Sequence, residues 1–156
     1  MIAEERSMNT LMVKSVASTN VRPYEIPQDL RDVLGLGVTE KYECVLLKAL
    51  ENTAGEYDPL AHFDRTGYEC LVNHVHIDPR NVDDPIPLRG GLAYADALVD
   101  ALKEAPYQGP FRIIMSLNPA QNICTVRFHR VRRGESWTSD DLESYLDEGL
   151  LVINCA

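Results

Sequence analysis

The sequence lacks the motifs by which small enzymes announce themselves. There is no Gly-x-Ser-x-Gly elbow, no Cys-x-x-Cys pair and no glycine-rich phosphate loop. Arg89-Gly90-Gly91 has only two adjacent glycines and reads as the lead-in to a helix. No apolar run approaches the roughly 18 residues of a membrane span, and the opening MIAEERSMNT has no apolar core of a secretory leader. The four cysteines, Cys44, Cys70, Cys124 and Cys155, are widely spaced, as expected of buried reduced thiols in a cytoplasmic protein. Positive charge is scarce: 15 Lys and Arg stand against 24 Asp and Glu, a net charge of -9. Such a surface repels nucleic-acid phosphates and acidic lipid headgroups. The expected partner is therefore neither nucleic acid nor membrane, but a basic protein.

What is present fits a globular chain. At 156 residues and 45% hydrophobic, it has material for one core without metal or disulfide. One domain over residues 1–156 is expected, with 1–9 flexible and the start at Met1 or Met8. Leu11–Thr19 reads as a first strand. A short helix follows over Pro27–Leu36, where proline fits the first helical position. Tyr42, Val45, Leu46, Ala49 and Leu50 fall on one stripe of a helix over Glu40–Asn52. A single helical turn is expected after Pro59. Tyr68–Ile77 then reads as a strand with Cys70, Val72, His74 and His76 on one face. Asp78–Gly91 is too proline-rich for regular structure, and Leu92–Glu104 carries a buried helical stripe.

The clearest signals lie in Phe111–Ile153. Phe111–Leu117 and Ile123–Arg132 alternate as two strands of a hairpin. Thr138 is placed to cap an acidic helix, with Trp137 stapled onto Leu142. Gly149 ends that helix, and Leu150–Ile153 forms the last strand. The fold class is α+β, a mostly antiparallel sheet of about five strands packed with about four helices.

Two sets of residues have chemistry to offer. His74 and His76, with Cys70 and either His62 or His129, are the sharpest candidate for a metal-dependent or other enzyme, although their spacing is common by chance and no second cluster has ligand spacing. No catalytic residue, metal or cofactor is assigned. The acidic residues Glu135, Asp140, Asp141, Glu143, Asp147 and Glu148 lie in a segment, 134–156, that holds no Lys or Arg. With Asp83 and Asp84 in the preceding loop, they are the candidate partner-binding surface. The basic cluster Arg127, Arg130, Arg132 and Arg133 is expected to pair with that acidic helix or with neighbouring carboxylates.

Over Cys124–Ile153, CTVRFHRVRRGESWTSDDLESYLDEGLLVI, the chain resembles small bacterial immunity proteins encoded beside polymorphic toxins, including contact-dependent growth-inhibition systems. The features carrying the likeness are the arginine-rich strand, the Gly-Glu-Ser-Trp turn, the Asp-Asp-Leu-Glu-x-Tyr segment and the final Leu-Val-Ile. The resemblance implies a cytoplasmic antidote that binds the C-terminal domain of a cognate toxin and blocks its active site or substrate entry. Such toxins are often nucleases with cationic clefts, which an acidic inhibitor would suit. An adaptor or chaperone-type binding protein fits the same composition.

Overall fold

A computed structural model describes residues 4–20, 24–79 and 86–156 of the chain. Five antiparallel strands form the main sheet: β1 (Glu4–Met8), β4 (Val75–Ile77), β5 (Phe111–Asn118), β6 (Ile123–Arg130) and β7 (Gly149–Cys155), ordered β1-β7-β5-β6-β4. β2 (Val38–Lys41) and β3 (Cys44–Leu47) make a separate hairpin. The helices are α1 (Thr10–Ala17), α2 (Gln28–Gly35), α3 (Pro59–His62), α4 (Arg65–Val72) and α5 (Pro87–Glu104). The fold is α+β, as the sequence pattern implies.

The alternation in β5 and β6 sorts their side chains onto two faces. Ile113, Met115, Cys124, Val126 and Phe128 join Leu151 and Ile153 under α5, which contributes Ala95, Leu98, Val99 and Leu102. Each fully buried aliphatic side chain in this layer contributes about 1.5–3 kcal/mol. α5 begins at Pro87, not at Leu92, and its glycines lie within it. A Cβ on Gly91 would stand 2.9 Å from Met115 Sδ and 3.2 Å from Cys124 Cβ, so glycine lets the helix lie against the sheet.

The N-terminal half departs from the sequence reading in four places. The strand expected at Leu11–Thr19 is helix α1, because Asn9 caps it by accepting a hydrogen bond from the Met12 N–H. The edge strand is instead the supposed flexible lead-in, with Glu4 opposite Cys155. The helix expected at Glu40–Asn52 is the β2–β3 hairpin followed by one 3-10 turn, Lys48–Leu50. All four residues of β3 are buried, so its apolar run has no period to separate strand from helix. Tyr42 and Glu43 turn that hairpin with φ of 57° and 60°, positions usually given to Asn and Gly. Arg65 Nε donates to the Tyr42 carbonyl at 2.9 Å, and Arg132 donates to that of Glu43 at 3.0 Å. Finally, only Val75–Ile77 of the strand expected at Tyr68–Ile77 is strand; Asp64 caps the preceding residues into α4.

The α4 helix joins the two sheets through its buried polar side chains. Glu69, fully buried, accepts from the Val45 N–H at 2.7 Å and the Arg130 N–H at 3.0 Å, and it pairs with Arg132. Asn73, one turn later, accepts from the Leu47 N–H and donates to the Val45 carbonyl, both at 2.8 Å. These groups satisfy the edge of β3 and the end of β6 as a partner strand would.

Candidate docking surface

The acidic segment folds as a strap, not as a helix. Its only helical part is the 3-10 turn Leu142–Ser144. The local polar side chains compete with helical hydrogen bonding. Ser139 Oγ accepts from the Asp141 N–H at 3.2 Å, and Asp141 Oδ1 accepts from the Glu143 N–H at 3.2 Å. Leu142 and Tyr145 turn inward and pack on Ile114, Leu150 and Val152, the sheet face opposite α5.

Long-range contacts fasten the strap along its length. Glu135 accepts from the Thr66 N–H at 3.1 Å, at the start of α4. Trp137 lies with its ring centroid 4.8 Å from the Arg127 guanidinium, and Asp141, not Thr138, caps the only helical turn that follows. Glu143 accepts from both the Thr10 N–H, at 2.6 Å, and its hydroxyl, at 2.9 Å. Asn9 Nδ2 donates to the Glu148 carbonyl at 2.9 Å.

The predicted partner-binding residues therefore divide. Glu135 and Glu143 serve helix N-termini, where the helix dipole favours a carboxylate. Asp141 caps its own turn. Asp140 and Asp147 are exposed and make no hydrogen bond or ion pair among the described residues. Glu148 is half-buried. Asp83 and Asp84 lie outside the described residues. Beside Asp147 stands Leu146, 81% exposed, which the sequence reading passed over. Its signal is an apolar residue followed at once by two acids, with no core position to fill. The basic cluster pairs with carboxylates outside the strap, the second of the two expected arrangements: Arg130 with Glu40 at 3.0 Å and Arg132 with Glu69, while Arg127 donates to the Cys70 carbonyl at 3.3 Å.

The histidines do not gather. His74 and His76 stand edge to face at 4.9 Å. His74 Nδ1 donates to the Leu71 carbonyl at 2.5 Å, and His76 shares a hydrogen bond with the Thr125 hydroxyl at 3.0 Å. His62 caps locally against the Asp58 N–H. Cys70 is buried in α4, away from the strand face on which it was expected. Among the described residues no group of three His, Cys, Asp or Glu side chains is arranged to hold a metal ion. Cys124 and His129 belong to opposite faces of β6, and burial pushes the Cys124 thiol up to about 12.

His129 is buried, with Nδ1 against the Arg130 carbonyl at 2.8 Å and Nε2 without a hydrogen-bond partner among the described residues. Burial, aided by Arg112 and Arg132, holds its pKa below the ordinary value. The unfolded chain therefore takes up a proton first. Above about pH 6.5 both states are neutral and stability is unaffected; it declines as pH falls through that value towards the lower folded pKa. Urea midpoints at pH 7.5, 6.5 and 5.5 should fall more steeply for the wild type than for His129→Leu. Equal slopes would exclude this proton linkage.

An α+β protein with a pinned acidic strap is the class these features define. The chain belongs to the uncharacterized protein PM0498 family, whose model matches residues 7–155. No curated protein and no solved structure matches it. Among the described residues no helix is long and apolar enough to cross a membrane.

Proposed function

We propose that this protein is an immunity protein, a cytoplasmic antidote that binds the C-terminal domain of a cognate toxin and covers its active site or substrate entry. The observation that carries the reading is the outer side of the strap. Asp147 stands free beside the exposed Leu146 and Asp140 stands free earlier on the same segment, while Glu135, Asp141 and Glu143 are tied to the fold. A fixed apolar residue among carboxylates suits a partner with a cationic cleft, as in nucleases. The negative field would speed encounter and the rigid backing would limit the entropy lost on binding. The resemblance of Cys124–Ile153 to immunity proteins supports the same reading.

The direct test begins with the adjacent gene. A long upstream frame with a variable C-terminal domain would supply the partner, and co-expression should rescue cells from that domain. The double charge reversal Asp140→Lys with Asp147→Lys is expected to weaken the complex at least about 10-fold in calorimetry, equivalent to about 1.4 kcal/mol. It should leave the melting temperature almost unchanged, since neither side chain supports the fold. Undiminished affinity would remove the strap from the interface.

A further inference from the structure

The two most exposed large apolar side chains among the described residues lie outside the strap. Leu60 is 97% exposed and Phe63 is 89% exposed. They sit three residues apart, Leu60 on the single turn of α3 and Phe63 on the residue that ends it. Phe63 has φ 69° and ψ −62°, and the Asp64 N–H donates to the His62 carbonyl at 2.8 Å. This is the three-residue γ-turn in its uncommon, strained form. A bulky aromatic residue is disfavoured there and persists only where surrounding contacts over-determine it.

Those contacts are present on every side. Asp58 accepts from the Leu60 N–H at 2.9 Å, and the Phe63 N–H donates to the Pro59 carbonyl at 3.1 Å. Asp64 accepts from the Gly67 N–H at 2.7 Å. A Cβ on Gly67 would come within 2.7 Å of the His62 carbonyl oxygen, so glycine there admits the turn. The His62 ring packs edge to face on Tyr68 at 4.8 Å, which anchors the turn to the buried cluster of Cys44, Leu46, Tyr68 and Val72. The result is a rigid knuckle that holds two apolar side chains in solvent at a cost in backbone strain. Burial elsewhere in the molecule does not explain it.

The rim selects the occupant. Between residues 51 and 65 the chain carries Glu51, Glu56, Asp58 and Asp64 against one cation, Arg65, which is paired with Glu43 at 2.9 Å. A second copy would bring like charge against like, in a chain whose net charge is already -9. We infer that Leu60 and Phe63 form the apolar anchor by which this protein docks into an apolar pocket, bordered by Lys and Arg, on a basic partner protein. The inference rests on the binding-protein reading and extends its surface. Glu135, bonded to the Thr66 N–H, places the start of the strap at the head of α4, next to this turn.

The test uses the full chain in its source cell, with a photo-crosslinking phenylalanine analogue placed separately at positions 63, 146 and 36. Leu36, 60% exposed, serves as the control. An adduct from position 63, stronger than from position 36, to one basic protein identified by mass spectrometry is the expected result. An adduct from 146 but not from 63 overturns the knuckle and leaves the strap reading standing. Adducts from neither position overturn both, and an adduct from 63 to a second copy overturns the heterologous partner. The crosslinked protein is then purified and titrated. Phe63→Ser and Phe63→Gly should each weaken binding about 30-fold, equivalent to about 2 kcal/mol. The glycine variant, relieved of the left-handed strain, should melt no lower than the parent. Affinity within threefold of the parent for either variant overturns the inference.

Discussion

Glu69→Ala should destabilise the protein by about 3–5 kcal/mol, enough to unfold a chain of ordinary marginal stability. The carboxylate is fully buried and meets two backbone N–H groups, Val45 and Arg130, besides the Arg132 guanidinium. Burial pushes its pKa up, and Arg132 and those N–H groups oppose the rise. Removing it strands the Val45 and Arg130 N–H groups, which belong to different sheets, and leaves Arg132 without its counter-charge. The half-buried arginine would then carry a charge without its counterpart, and two backbone donors would lose their acceptor, which is why the cost exceeds that of one neutral hydrogen bond. Urea denaturation followed by circular dichroism measures the loss. Hydrogen exchange should show the β2–β3 hairpin opening first, since α4 holds it to β6 through Glu69 and Asn73. A change under about 1 kcal/mol would mean that this pair is not the joint between the sheets.

The second large effect is expected at Asn9→Ala, about 2–4 kcal/mol. The Asn9 side chain is buried and makes four hydrogen bonds. Its oxygen accepts from Met12, capping α1, and from Leu150; its amide donates to Glu148 and, at 3.3 Å, to Leu142. A cap alone is worth about 1 kcal/mol, and each buried group left unpaired adds more. Asn9→Asp keeps the two acceptor bonds and loses the two donors, so it should fall between alanine and wild type. The strap would loosen with it, and proteolysis between residues 131 and 148 should accelerate in both variants before global unfolding. Equal protease resistance in wild type and variants would show that the strap holds without Asn9.

The contrast between the chain's halves has a physical source. In β5 and β6 one face is covered by α5 and the other is mixed, so Ile113, Met115 and Phe128 alternate with Arg112, Arg127 and His129, and the period of two is visible in the residues alone. β3 is enclosed on all sides, so Cys44–Leu47 has no polar beat to mark a strand. The hairpin turn at Tyr42–Glu43 carries no Asn or Gly because arginines from distant positions stabilise its carbonyls. Helix α1 hid for a related reason: its cap, Asn9, also serves Leu150, far along the sequence. The candidate docking surface was legible as charge, and only in part as place. Glu135 and Glu143 looked like free carboxylates until Thr66 and Thr10 were seen beside them. Leu60 and Phe63 gave no periodic signal, because a four-residue helix is too short to show one.

The strand order places β7 between β1 and β5, so the latest-made strand of the sheet has neighbours on both sides. During synthesis from the amino end, Glu4–Met8 has no ladder to join until Gly149–Cys155 has left the ribosome. The nascent chain must therefore carry an unmatched edge until every other element of the sheet has been made, and the sheet closes in a late, non-local step.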